Sequence, residues 1–190
     1  MIYGKYENAR NASWQCLIEY NISSLPVPVL QIAKAAGIKV IKNSKVNWLL
    51  PNESGVSIIR GNQWYIVYND RCSRQRCRFT IAHELGHIFL GHELKKRGHL
   101  TQTFKTAKSY AEQEANIFAS RLLAPACVIW ALNIRTPAQI ATICDISHTA
   151  AKFRFQRMEI LYKRNRFLCN PLENVVYKNF NGFIKKHNPK

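Results

Sequence analysis

The stretch from residue 78 to residue 90 constrains the fold of this chain more than any other, because it has the pattern of a helix that is apolar nearly all round. Such a helix belongs in the centre of a domain, where polar side chains need partners. Three polar residues nevertheless interrupt the apolar run, at His83, Glu84 and His87. No lysine or arginine lies between positions 78 and 95 to pair with the glutamate. The polar residues therefore predict a buried site.

The spacing of the two histidines suits a metal ion. On a helix, residues four apart lie on the same face, so the imidazoles of His83 and His87 can reach one ion. Glu84 is then placed to act as a general base on a water molecule at that ion. The alternative is a helix with ordinary polar residues, but the apolar surroundings and the absence of a neighbouring cation favour the metal. The pattern is typical of zinc hydrolases.

A third ligand must come from elsewhere, since catalytic zinc takes three protein ligands and keeps one position for water. The metzincin extension requires glycine at position 90 and histidine at position 93, and it is excluded by Leu90 and Glu93. Residues 110–125 predict a second helix with small residues on one side. Glu112 and Glu114 both flank its apolar stripe, and periodicity does not choose between them. On an isolated helix, both would be solvated charges.

Two long motifs in the same order connect the chain with a known family. They are Arg78-Phe79-Thr80-Ile81-Ala82-His83-Glu84-Leu85-Gly86-His87 and then Glu114-Ala115-Asn116, Phe118-Ala119, Leu122-Leu123 and Pro125. Weaker similarities are Leu25-Pro26-Val27, Gly37-Ile38 and Trp64-Tyr65-Ile66. On these residues, between positions 20 and 165, the chain resembles the ImmA/IrrE-type metallopeptidases.

The resemblance implies a zinc ion held by His83, His87 and Glu114, with Glu84 as the general base. Glu114 is assigned on that ground alone, because it directly precedes Ala115 and Asn116. The implied activity is that of a zinc endopeptidase whose protein substrate is a helix-turn-helix transcriptional repressor. Such an anti-repressor protease would serve a mobile element or a stress response.

The remaining pattern predicts an α+β fold, in which a small three-stranded sheet backs the zinc helices of a zincin-like domain. We expect helices over residues 7–20 and 28–36, and strands over residues 38–41, 56–60 and 63–69. Gly61-Asn62 between the last two strands predicts a hairpin turn. The active-site helix should follow over residues 74–91.

Beyond Pro125 the chain is helical and resembles a helix-turn-helix. Thr136-Pro137-Ala138-Gln139 has the pattern of a capping box, and Ser147 can cap the next helix. Asp145 stands where glycine is usual in the turn and can adopt the left-handed conformation there. The expected organisation is a peptidase domain over residues 1–132, a helix-turn-helix-like segment packed on it over 133–166, and a basic C-terminal tail over 167–190.

The net charge of +17 bears on function. It is consistent with a solvated basic surface, or with nonspecific attraction to DNA. An alternative function is therefore a DNA-binding regulator that uses the basic C-terminal region, with a structural or sensory zinc site. Glu84 favours the peptidase, because a structural site needs no base. The sequence does not indicate an oligomeric state.

No stretch is apolar enough to span a membrane and the start lacks a signal-peptide pattern, so we expect a cytoplasmic protein. We then expect its six cysteines to be free thiols. Cys72 and Cys77 flank a basic loop and are a candidate for a metal or redox pair. Candidates for stabilising the oxyanion are His92, His99 and Tyr110, chosen by proximity in the sequence only.

Overall fold

A computed structural model describes the backbone of residues 7–92 and 105–188, and the side chains of residues 8–92 and 110–188. The described elements, in chain order, are α1 (Glu7–Glu19), α2 (Val29–Ala35), β1 (Lys39–Lys42), α3 (Asn43–Val46), β2 (Gly55–Arg60), β3 (Gln63–Tyr68), α4 (Arg74–Phe89), α5 (Lys105–Leu123), α6 (Ala126–Ala131), α7 (Pro137–Cys144), α8 (His148–Arg164), α9 (Pro171–Asn179) and α10 (Asn181–His187). The expectation of an α+β fold with a small sheet is confirmed.

The described residues fall into two compact units. One comprises residues within Met1–Ala12 and Val29–Ala119, and the other comprises Ser13–Pro28 and residues within Ser120–Lys190. The chain thus passes from one unit to the other inside α1, returns at the start of α2, and passes again inside α5. The predicted boundaries after residues 132 and 166 stay a prediction.

The first unit contains the three-stranded sheet, in the order β1-β3-β2. Strand β1 runs parallel to β3, with Val40 opposite Ile66, while β2 and β3 form an antiparallel hairpin. The predicted turn is confirmed at Gly61, whose φ of 58° is one that glycine adopts without strain. Ile66 and Val67, consecutive residues of the central strand, are fully buried, so both faces of the sheet are covered at this point.

Helix α4 lies directly against β2 at the start of that strand. A Cβ atom at Gly55 would collide with the Thr80 side chain and would lie 3.4 Å from Cγ of Glu84. Only a residue without a side chain permits this approach. Ile81 and Leu85 on α4 are buried, as predicted for an apolar central helix.

The second unit is helical among its described residues. Helix α7 begins with the predicted capping box, in which Thr136 and Gln139 satisfy each other's backbone groups. Asp145 adopts the predicted left-handed conformation, with φ of 49°, and the Ser147 hydroxyl accepts a hydrogen bond from the backbone N–H of Ala150 at the start of α8. Arg154 on α8 is buried and donates from Nε to the carbonyl oxygen of Ala124 at 2.8 Å.

Most of the predicted basic tail is folded. Helices α9 and α10 bury Val176, Phe180 and Ile184, so these residues belong to the apolar core of the second unit. Among all the helices described, none has both the length and the hydrophobicity that crossing a membrane requires.

Candidate metal centre

The two histidines of α4 face one another across one helical turn. Ser73 caps the helix by accepting a hydrogen bond from the backbone N–H of Arg76, which sets the start of the turns that follow. The Nε2 atoms of His83 and His87 lie 3.0 Å apart, and their rings meet edge to face. Both predicted histidines therefore present the same ring nitrogen to the same point.

Helix α5 approaches this point closely because Gly86 has no side chain. A Cβ atom there would lie 3.1 Å from Cδ1 of Phe118 and 3.2 Å from Cα of Ala115. Contacts this short are tighter than ordinary packing, so the two small residues allow backbone to meet backbone. Glu112, which lies one turn before Ala115 and Asn116, is thereby brought to the imidazoles.

Glu112 completes a group of three possible ligands. Its Oε2 lies 3.2 Å from Nε2 of His83, and its Oε1 lies 3.8 Å from Nε2 of His87. Hydrogen bonding from His83, and then from His87, lowers the pKa of the Glu112 carboxyl far below its usual range. The group is therefore an ionised carboxylate at neutral pH.

The spacing of the three donor atoms fits a small tetrahedral ion. One atom from each of His83, His87 and Glu112 lies within 4.8 Å of the others. Tetrahedral zinc with ligands at about 2.1 Å separates its donors by about 3.4 Å. The observed separations of 3.0, 3.2 and 3.8 Å bracket that value, so small side-chain movements suffice. Two imidazoles and one carboxylate form a common donor set of zinc peptidases.

The structure places the two glutamates of α5 differently relative to the α4 histidines. The resemblance implied Glu114, but its Oε2 lies 3.2 Å from Nε2 of His92, outside the group formed by Glu112 and the two histidines. The physical reason is helical geometry: two residues further along, the side chain points about 200° around the helix axis. Only one of the two glutamates can face the α4 histidines.

Two further residues, which the sequence analysis did not assign to this role, touch the far side of the imidazoles. Oδ1 of Asn116 lies 3.0 Å from Nδ1 of His83, and Nδ1 of His92 lies 3.0 Å from Nδ1 of His87. Such contacts orient metal-binding histidines. Burial is the main cause that lowers the pKa of His92. The sequence contained a signal for this arrangement. Glu112 and Asn116 are four residues apart and so lie on one face of α5, as His83 and His87 do on α4.

Comparison with known proteins identifies the family of this chain. The family model described as the IrrE N-terminal-like domain of Peptidase M78 matches residues 33–158. The chain belongs to the ImmA/IrrE metallopeptidase family. It is also similar to the metallopeptidase ImmA of Bacillus subtilis (strain 168), with 32% identity over 97 residues. That match spans 50% of this chain and 53% of the relative, so the chain covers about half the length of that protein.

Within the ImmA/IrrE domain, Glu84 follows the first histidine and is only 7% exposed. It lies on the side of α4 that packs against Gly55 of β2. The predicted general base therefore follows a donor residue directly in the sequence and is shielded from bulk solvent.

Two of the three candidates for the oxyanion-stabilising residue, His92 and Tyr110, lie among the described residues of this ImmA/IrrE domain. Both ring nitrogens of His92 are engaged, by His87 and by Glu114, so donating to a substrate would break one of these contacts. Tyr110 is 39% exposed at the beginning of the described part of α5 and stays a prediction. His99 lies outside the described residues.

None of the six cysteines of this ImmA/IrrE member, all of which lie among the described residues, forms a disulfide. Sγ of Cys77 lies 3.4 Å from the carbonyl oxygen of Asn69 and 3.6 Å from that of Cys72. Within the residues that the structure describes, neither Cys72 nor Cys77 belongs to a cluster suited to metal. Their role as a metal or redox pair stays a prediction.

Proposed function

We propose that this chain is a zinc-dependent endopeptidase in which His83, His87 and Glu112 hold the ion and Glu84 acts as the general base. The observation that supports it most is the convergence of two Nε2 atoms and a carboxylate beside a buried glutamate. Glu112 replaces Glu114 as the proposed third ligand, because its oxygens are the ones that face the imidazoles. The proposed peptidase chemistry thus uses residues within 1–132.

The division of labour follows from the site. A zinc ion held there would supply Lewis acidity, which lowers the pKa of water from about 16 towards about 7 and polarises a carbonyl group. The chain's own contribution is proton transfer at Glu84. One of its carboxylate oxygens accepts the proton of the attacking water and then donates it to the nitrogen of the leaving peptide. Because Glu84 is shielded from solvent, this proton passes between reacting groups and not to bulk water.

We propose that the substrate is a helix-turn-helix repressor encoded beside the gene for this chain. Support for this substrate is the resemblance to the ImmA/IrrE-type metallopeptidases, which act as anti-repressor proteases. The test is to incubate the zinc-loaded chain with that repressor and to follow cleavage by mass spectrometry. Specific cleavage at one bond is the expected result, and an intact repressor after prolonged incubation contradicts the substrate assignment.

Replacing the base separates metal binding from catalysis. Glu84→Gln should retain stoichiometric zinc but cleave about 10²- to 10⁴-fold more slowly, because the amide cannot accept the proton. Glu159→Gln, an exposed glutamine-for-glutamate change on α8, is the matched control and should cleave like the wild type. Equal rates for Glu84→Gln and the wild type would contradict the assigned base.

A second candidate function is DNA binding, and one observation favours it. Helix α8 follows a tight turn after α7, as in a helix-turn-helix, and exposes Lys152, Phe153 and Gln156 in a chain with a net charge of +17. Fluorescence anisotropy with unrelated duplex DNA tests it, with expected binding at low salt that weakens as salt is added. Unchanged anisotropy at low salt excludes this function, whatever the peptidase result.

A further inference from the structure

A chain of polar groups leads away from the metal centre behind His87. Nδ1 of His92 lies 3.0 Å from Nδ1 of His87, and Nε2 of His92 lies 3.2 Å from Oε2 of Glu114. The rings of His87 and His92 meet edge to face, with their centroids 5.1 Å apart. The side chains of His87, His92 and Glu114, from α4, the turn after it and α5, thus form one continuous series of contacts.

The position of His92 is fixed by the way α4 ends. Gly91 has φ of 68°, a conformation suited to glycine, and its N–H bonds to the carbonyl oxygen of Ile88 at 3.2 Å. The N–H of His92 then bonds to the carbonyl oxygen of His87 at 3.0 Å. Together these are the two bonds of a Schellman motif. The helix terminus therefore folds His92 back over the residue that it contacts.

Glu114 is a buried carboxylate, with 8% of the residue exposed. A charge in that environment is costly unless donors meet it, and the contact from His92 supplies one. Both side chains of the pair are about equally shielded, at 10% exposure each. The contact with His92 therefore offsets part of the cost of burying Glu114 on α5.

One assignment of the hydrogen atoms satisfies these contacts together with a cation at Nε2 of His87. A carboxylate only accepts, so Nε2 of His92 carries the hydrogen towards Glu114. The Nδ1 of a neutral His92 is then an acceptor, and Nδ1 of His87 must donate to it. With a cation bound, His87 then has a lone pair on Nε2, the atom that faces His83 and otherwise hydrogen-bonds to Glu112. The opposite arrangement would place a hydrogen on that atom, directed at the cation position.

We propose that Glu114 and His92 form a positioning relay, which holds His87 in the tautomer and orientation required of a metal ligand. The inference rests on the proposed function, since it assigns Glu114 and His92 to the support of the same zinc site. It gives the glutamate of the Glu114-Ala115-Asn116 motif a role other than direct ligation. Asn116 makes the corresponding contact to His83 from the same helix.

Loss of such supporting contacts typically weakens metal affinity or activity 10- to 100-fold. We therefore expect His92→Phe and Glu114→Leu to weaken zinc affinity by that factor. His92→Gln should recover most of the affinity, because its amide can accept from His87 and donate to Glu114. Glu114→Gln should lie between, since it keeps an acceptor but loses the charge.

The experiment is a competition titration of the full chain against a chromophoric chelator, for Zn²⁺ and for Co²⁺. The visible ligand-field bands of the Co²⁺ form report the geometry at the ion independently of activity. His148→Phe and Glu159→Gln, at exposed positions on α8, are the matched controls and should leave affinity and spectrum unchanged. Circular dichroism identifies the folded variants. If His92→Phe fails to fold, the comparison of Glu114→Gln with Glu159→Gln decides.

The possible failures are distinguishable. Wild-type affinity and spectrum in folded Glu114→Gln, Glu114→Leu and His92→Phe would overturn the relay and leave the proposed function intact. Loss of metal in Glu114→Gln as complete as in His87→Ala would also overturn it, because Glu114 would then be a ligand. A wild-type chain that binds no zinc, or a Glu112→Ala variant that binds it normally, would contradict the proposed metal centre itself.

Discussion

The close approach of α4 and α5 at Gly86 makes the metal centre sensitive to one methyl group. In Gly86→Ala, the new Cβ atom would lie 3.1 Å from Cδ1 of Phe118, 3.2 Å from Cα of Ala115 and 3.3 Å from the carbonyl oxygen of Ala115. The phenyl ring can turn, but the backbone of Ala115 moves only with its helix. We expect α5 to move away from α4 by a few tenths of an ångström.

The expected energies follow from two opposing effects. Overpacking a core typically costs about 1–3 kcal/mol, while replacing glycine by alanine inside a helix contributes about 1 kcal/mol of stability. The net loss of stability should thus be about 0–2 kcal/mol. Moving Glu112 by a few tenths of an ångström exceeds the tolerance of about 0.2 Å for metal–ligand distances. We therefore expect zinc affinity to fall about tenfold, or about 1.4 kcal/mol.

Chelator competition measures the zinc affinity, and urea unfolding in excess chelator measures the stability of the zinc-free protein. Gly182→Ala in α10 is the matched control, because a Cβ atom there meets no heavy atom within 4 Å. That variant should be unchanged or slightly more stable, with normal zinc affinity. If Gly86→Ala shows the same gain in stability and the same affinity as Gly182→Ala, the close-packing argument is refuted.

Three other outcomes follow from the structure. Asn116→Leu should weaken zinc affinity about 10- to 100-fold in chelator competition, because Nδ1 of His83 loses its acceptor, while Asn116→Asp should retain most of it. The pKa of Glu112 is lowered from its ordinary value of 4.5, so its ionised form stabilises the zinc-free fold above that pH, and this contribution is lost as pH falls through the lowered pKa. The urea midpoints of the wild type and Glu112→Gln should therefore differ at pH 6 and converge in acid. Burial raises the pKa of Cys127 to about 12, so this thiol should react with a disulfide reagent far more slowly than exposed Cys72, as peptide mapping would show.

Local patterns predicted many secondary-structure elements well, because they depend on short-range chemistry. The hairpin at Gly61, the cap at Ser147 and the left-handed Asp145 all follow from residue preferences within a few positions. The strands were placed to within about one residue of their observed ends. The parallel pairing of β1 with β3 was not predictable in this way, since it joins residues that are distant in the sequence.

The proposed third ligand could not be chosen from local sequence patterns. Glu112 and Glu114 flank the same apolar stripe, so hydrophobic periodicity treats them alike. The choice depends on which face of α5 meets α4, and that is set by tertiary packing at Gly86 and Ala115. His92 was similarly beyond reach, because its placement depends on the return of the chain after Gly91. Local patterns thus indicated that histidines and a glutamate form the site, but only the packing of α5 on α4 distinguishes Glu112 from Glu114.

The distribution of the donors over two helices has a consequence for folding. In the proposed metal centre, an ion shared by His87 on α4 and Glu112 on α5 would act as a reversible cross-link between segments that are well separated along the chain. The unfolded chain does not present these donors together, so the ion binds mainly the folded form. Resistance to unfolding should then rise with free zinc, by about 1.4 kcal/mol for each tenfold excess over the dissociation constant. The concentration of free zinc would thereby control the stability of the fold as well as the proposed peptidase activity.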